Sequence, residues 1–190
     1  SHALAFVSKV ETYSGANENP NAEEGCETDG SSTTFGSWRN RIIFVTDDQD
    51  GNNNDGWRHM SDSEVHSDRV SEYHNEYDVI KIYPDSYLQE STPGGERYDA
   101  AEAEIARKVE EGALIIDYIG HGGDRGWAHE RILNTATIRE WTNKKRLPVF
   151  MTATCELSRY DDPEVESAGE MIVFNPNGGA VGMLTTTRTV

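Results

Sequence analysis

Five short apolar runs punctuate this chain, at residues 41–46, 78–83, 113–119, 148–152 and 179–186. Runs this brief and continuous, with isoleucine and valine prominent, suit parallel strands buried on both faces. The segments between them carry helical spacing. Residues 98–111 place Ala101, Ile105, Ala106 and Val109 on one face and stop at Gly112. Residues 63–73 offer Val65, Val70 and Tyr73 as an inner stripe, and 136–142 and 167–174 are shorter helical candidates. Strands alternating with helices predict an α/β fold, a mainly parallel, doubly wound sheet flanked by helices.

With 190 residues the chain can enclose one sizeable core. Its net charge of −17 argues against nucleic acid, because phosphate contacts need clustered Lys and Arg. An acidic surface also serves solubility. No apolar run approaches the roughly 20 residues that span a bilayer. The first 37 residues read as a weak strand over 4–10 and then a polar linker, whose few large apolar groups cannot repay its ordering entropy. The folded domain is expected over 38–190. Its last strand has no capping element after it, so the chain is expected to be a fragment of a larger protein, truncated at the C-terminus.

In a parallel α/β sheet, chemistry gathers at the carboxyl ends of the strands. Asp47, Asp48 and Asp50 follow the first run, His121 the third and Cys155 the fourth. A thiol needs a nearby base to become a useful nucleophile at neutral pH, and imidazole is the usual one. His121 and Cys155 therefore form the candidate dyad. Gly122 and Gly123 let the backbone approach a ligand, so the amides of Gly122 and Cys155 are the candidate oxyanion hole. Asp48 is the candidate carboxylate to orient the imidazole. Trp127 and His129, in the loop after the base, and Glu156, beside the thiol, are the candidate cleft residues; Trp127 is equally suited to packing that loop down.

Each of these residues has a plainer reading. Gly-His-Gly-Gly can be an ordinary turn, a free Cys can be a packed small hydrophobe, and an Asp/Asn run can be a solvated loop. His59, His66 and His74 read as surface groups. The acidic run fits no register of an EF-hand, and neither Cys-x-x-Cys nor His-x-x-x-His occurs, so no metal and no cofactor are expected. Cys26 lies in the polar segment, and nothing there suggests a disulfide framework.

Taken together, Tyr118-Ile119-Gly120-His121-Gly122-Gly123, Gly126-Trp127-Ala128-His129-Glu130-Arg131, Thr152-Ala153-Thr154-Cys155-Glu156, Arg159-Tyr160-Asp161-Asp162-Pro163 and Ala168-Gly169-Glu170 resemble the gingipain family of cysteine peptidases. Trp38-Arg39-Asn40 and Phe44-Val45-Thr46-Asp47-Asp48 fit the same resemblance. Within the family the likeness is to its sortase branch, which serves type IX secretion. The resemblance implies a caspase-like catalytic domain over 38–190 with His121 and Cys155 as the dyad. It further implies removal of the C-terminal signal domains of secreted cargo at the bacterial cell surface, on the extracellular side of the outer membrane. A lipopolysaccharide amine would accept the acyl group, and other secretion-system subunits would be partners.

Two other classes compete. A catalytically silent caspase-like scaffold would bind exported proteins without chemistry. A receiver-like phosphoacceptor module would use Asp47-Asp48, Asp117 and Thr152-Ala153, but the last strand lacks the lysine that such a module needs after it.

Overall fold

Burial along the first strand sets the layering, because successive side chains leave opposite faces of a sheet. Ile43 and Val45 enter one core cluster, whereas Ile42 and Phe44 enter another. Both faces of that strand are therefore covered. The computed structural model describes residues 2–16, 34–49 and 58–190; Cys26 and Asp50 lie outside them.

The chain runs through α1 (His2–Tyr13), β1 (Arg41–Thr46), α2 (Arg58–Tyr73) and β2 (Asp78–Ile82). A hairpin of β3 (Glu90–Thr92) and β4 (Gly95–Arg97) precedes α3 (Asp99–Glu111) and β5 (Ile115–Ile119). A small antiparallel sheet follows, made of β6 (Gly122–Gly123), β7 (Gly126–Trp127) and β8 (Leu133–Asn134). The remaining elements are α4 (Thr135–Glu140), β9 (Val149–Ala153), α5 (Ala168–Phe174) and β10 (Gly182–Leu184). The main sheet has the order β10-β9-β5-β1-β2, and every neighbouring pair is parallel. This is the α/β architecture that the alternating runs predict.

The larger core lies under α3, α4 and α5. Ala101, Ile105 and Val109 from α3, Ile138 from α4 and Met171 and Ile172 from α5 pack there on Ile116, Tyr118 and Phe150. The opposite face is thinner, and α2 covers it with Met60 and Val70 against Ile42, Phe44 and Tyr83. The stripe expected on α2 is rotated. Val65 and Tyr73 are exposed, while Ser63 and Ser67 are buried. Small side chains let the helix lie close to β1, and the Tyr83 hydroxyl reaches Ser63 Oγ at 3.3 Å.

The strand expected over 4–10 is instead part of α1. Ala3, Leu4, Ala5, Lys9 and Glu11 are good helix formers, and they outweigh Val7 and Val10. The buried residue of α1 is Lys9, whose Nζ donates to the carbonyls of Ile172 (3.2 Å) and Val173 (2.8 Å) near the end of α5. The Ile172 carbonyl also accepts from the Ala180 N–H at 3.0 Å, and a cationic side chain is favourable at a helix C-terminus. Burial pushes the Lys9 ammonium down to about 7, with Lys144 adding repulsion.

Candidate active site

Parallel register places the two reactive groups. Ile119 at the end of β5 is opposite Ala153 at the end of the adjacent β9. His121 and Cys155 each lie two residues farther on, and the Gly120 N–H still donates to the Ala153 carbonyl at 3.3 Å. A Cβ at Gly122 would lie 2.4 Å from Thr154 Oγ1. The His turn thus runs against the chain entering Cys155, and both side chains are half-buried at one sheet edge.

The backbone of His121 is clamped at both ends. Its N–H donates to Asp47 Oδ2 at 2.8 Å, and its carbonyl accepts from the Tyr118 hydroxyl (2.6 Å) and the Ala128 N–H (2.9 Å). Gly120 is required for that approach, because a Cβ there would lie 2.5 Å from Asp47 Cβ and 2.6 Å from Tyr118 Oη. The fully buried Trp127 stacks on Tyr118, with ring centroids 4.2 Å apart and planes 8° apart. Trp127 therefore does not wall a cleft. It packs the loop down, the plainer of its two readings.

Asp48, the expected orienting acid, is committed elsewhere: its Oδ2 accepts from the Tyr98 hydroxyl at 3.0 Å. Asp47 is the carboxylate that grips His121, and its other oxygen accepts the Asp48 N–H at 3.1 Å. Burial first, with Asp48 and Glu130 adding repulsion, raises the Asp47 carboxyl to about 7, although the His121 N–H works against that rise. Consecutive residues after a strand diverge, so the sequence Asp47-Asp48 could not tell which carboxylate turns toward the histidine.

Three imidazoles meet along this edge. The His59 ring meets His121 edge-on, with centroids 5.0 Å apart and planes 89° apart; the His129 ring lies nearly parallel to it at 5.7 Å. His129 is exposed beside His121. Reading His59 as a surface group missed this contact. The signal was available: His59 stands four residues before Ser63 and eight before Ser67, on the same stripe of α2. Glu156 is half-buried next to the thiol, in the left-handed region at φ 52°, with Arg159 3.9 Å from its carboxylate.

The thiol faces the chain after β10. Cys155 Sγ lies 3.5 Å from the Val190 N–H donor and 3.6 Å from its carbonyl oxygen. The Glu156 N–H donates to Arg188 (3.3 Å) and the Ser158 N–H to Thr186 (3.1 Å). The start of α5 touches the loops that follow His121 and Cys155: Ala168 N–H donates to the Asp124 carbonyl (2.6 Å) and Gly169 N–H to the Leu157 carbonyl (2.8 Å).

Among the described residues, two donor groups are close enough to hold a cation: Asp47, His59 and His121, and the buried trio Asp47, Asp48 and Glu130. No local sequence spacing announces either, because the donors come from separate segments.

This geometry has counterparts. The sequence profile of peptidase family C25 matches residues 1–190. The chain belongs to peptidase family C25. Among solved structures, the Arg-specific cysteine proteinase gingipain R (RgpB) superposes with a TM-score of 0.62 at 17% identity, over 83% of this chain and 34% of that one. The complex of Porphyromonas gingivalis RgpB pro- and mature domains gives 0.63 at 16%, with the same coverages. A structure described only as a protease gives 0.63 at 15%, over 99% of this chain and 34% of the other. This C25 chain has the caspase-like gingipain fold and spans about a third of the length of those chains. No curated protein matches it in sequence.

Proposed function

We propose that this C25 chain carries the catalytic centre of a cysteine endopeptidase with transpeptidase activity. The observation that carries the reading is the parallel register of β5 and β9, which brings His121 and Cys155 to neighbouring positions beyond one sheet edge. His121 takes the Cys155 proton, and the thiolate attacks the peptide carbonyl. The amides of Gly122 and Cys155 donate to the resulting oxyanion. The intermediate collapses to a thioester as protonated His121 returns its proton to the leaving amine. Water or a second amine then attacks the thioester and frees Cys155. Asp47 acts as a positioning residue: it fixes the His121 backbone before substrate arrives, so little reorganisation is left for the reaction.

The finer reading is a sortase of the PorU type. Its substrates are cargo proteins of type IX secretion, from which it removes the C-terminal signal domain, and its acceptor is a lipopolysaccharide amine. It works at the outer-membrane surface, on the extracellular side, beside other secretion-system subunits. The motif blocks around His121, Cys155 and Asp161-Asp162-Pro163 support this reading, as does family membership. The test is mass spectrometry of the full-length enzyme mixed with a cargo C-terminal domain. A thioester on Cys155 is expected. A silent scaffold would bind the domain, form no adduct and alkylate no faster than a free thiol. Phosphorylation of Asp117 would instead support the receiver reading, although Asp117 lies mid-strand, paired with Phe44 and Met151.

A further inference from the structure

The histidine that serves as base in this reading also belongs to a donor set whose other two members are outside the dyad. A carboxylate oxygen of Asp47 and ring nitrogens of His59 and His121 all lie within 4.8 Å of one another. They converge from three separate places: the tip of β1, the first turn of α2 and the turn after β5. We propose that Asp47, His59 and His121 form an inhibitory site for a divalent transition-metal cation of the zinc type, which occupies the imidazole that Cys155 needs.

The donor chemistry selects the cation. Two imidazoles and one carboxylate suit zinc and its neighbours, whereas calcium and magnesium prefer all-oxygen shells. Zinc bonds of about 2.0–2.2 Å put neighbouring donors roughly 3.5 Å apart, so modest side-chain rotation completes the set. Asp47 remains able to ligate while holding the His121 and Asp48 amides, because each carboxylate oxygen has a second lone pair. Its grip on the His121 main chain then orients the histidine ligand from behind, as supporting contacts do in metal sites. Three protein donors leave a fourth position open. A metal on His121 removes the lone pair that would accept the thiol proton, so the nucleophile is not activated.

The inhibitory consequence rests on the dyad reading; the binding does not, so the two are tested separately. In the Cys155→Ala protein, titration with cobalt(II) followed by visible absorption, and with zinc by calorimetry, is expected to show one four-coordinate site with no sulfur-to-cobalt band. His59→Ala and His59→Gln, with folding checked by circular dichroism, should each weaken binding by about tenfold or more. Absence of binding, or equal affinity in both variants, overturns the site. With Cys155 intact, micromolar zinc should slow iodoacetamide labelling, and His59→Ala should relieve most of that slowing. Equal protection in the variant places the cation on the thiolate itself and overturns the proposal. Labelling unaffected by zinc, despite cobalt binding to the Cys155→Ala protein, overturns the inhibitory role and points to failure of the dyad reading.

Discussion

The tip of β1 and the tips of β5 and β9 lie at one edge of one sheet, yet they are built for different work. Asp47 and Asp48 are 3% and 7% exposed, whereas His121 and Cys155 are half-buried and reach the surface. Groups that far from solvent cannot touch a peptide; they act only through what they hold. Asp47 holds the His121 backbone, and Asp48 accepts the Tyr98 hydroxyl. The partly exposed groups follow two adjacent strands, β5 and β9, and the buried carboxylates follow β1, one strand over.

Substitutions at the reactive tips should give the largest effects. Cys155→Ala is expected to abolish the thioester with cargo, read by intact-mass analysis. His121→Ala should lower peptide cleavage by about 10²–10⁴-fold and slow thiol alkylation at neutral pH. Labelling of that variant at the parent's rate would erase the functional difference between the two regions.

Substitutions at the β1 tip should show first in stability. Asp47→Ala leaves two amide donors without their acceptor, which costs about 1–3 kcal/mol for each in urea unfolding. Asp47→Asn keeps an acceptor and should lose less. It should also change the pH profile. Folding lifts the Asp47 carboxyl from 3.8 to about 7, so between those values the native state keeps a proton that the unfolded chain releases. The stabilisation from this group is complete below pH 4 and is lost as pH rises through about 7, on the order of a few kcal/mol. Unfolding midpoints measured across that window should flatten in Asp47→Asn; an unchanged slope refutes the assignment. The smallest effect is expected from Tyr98→Phe, about 1 kcal/mol from one lost hydrogen bond, with cleavage close to the parent rate.

The strands that frame this edge were legible from their apolar runs, because burial on both faces leaves a continuous signature. The observed β1 coincides with the 41–46 run, and β5 and β9 start and end within two residues of theirs. β10 is shorter than 179–186: Gly179 sits at φ 88°, outside the extended region, and the ladder with β9 begins only at Gly182. Three things are not legible there. The helix α1 was read as a strand because its exposed Leu4, Val7 and Val10 mimic one, while the residue that docks it is a lysine. The hold of Asp47 on the His121 main chain is not legible, because direction after a strand end depends on backbone torsions that composition does not encode. His59 shares the buried stripe of Ser63 and Ser67, but its meeting with His121 comes from the pitch of α2 and not from sequence proximity.

The first turn of α5 carries one more consequence. Its opening amides fasten the stretch after His121 to the stretch after Cys155, and Gly169 fits so tightly that an added methyl would overlap Ser158 Oγ at 1.9 Å. The stretches that follow His121 and Cys155 are thus tied together by a clasp that includes neither residue. A larger side chain at Gly169 would strain both stretches at once while leaving the imidazole and the thiol chemically intact.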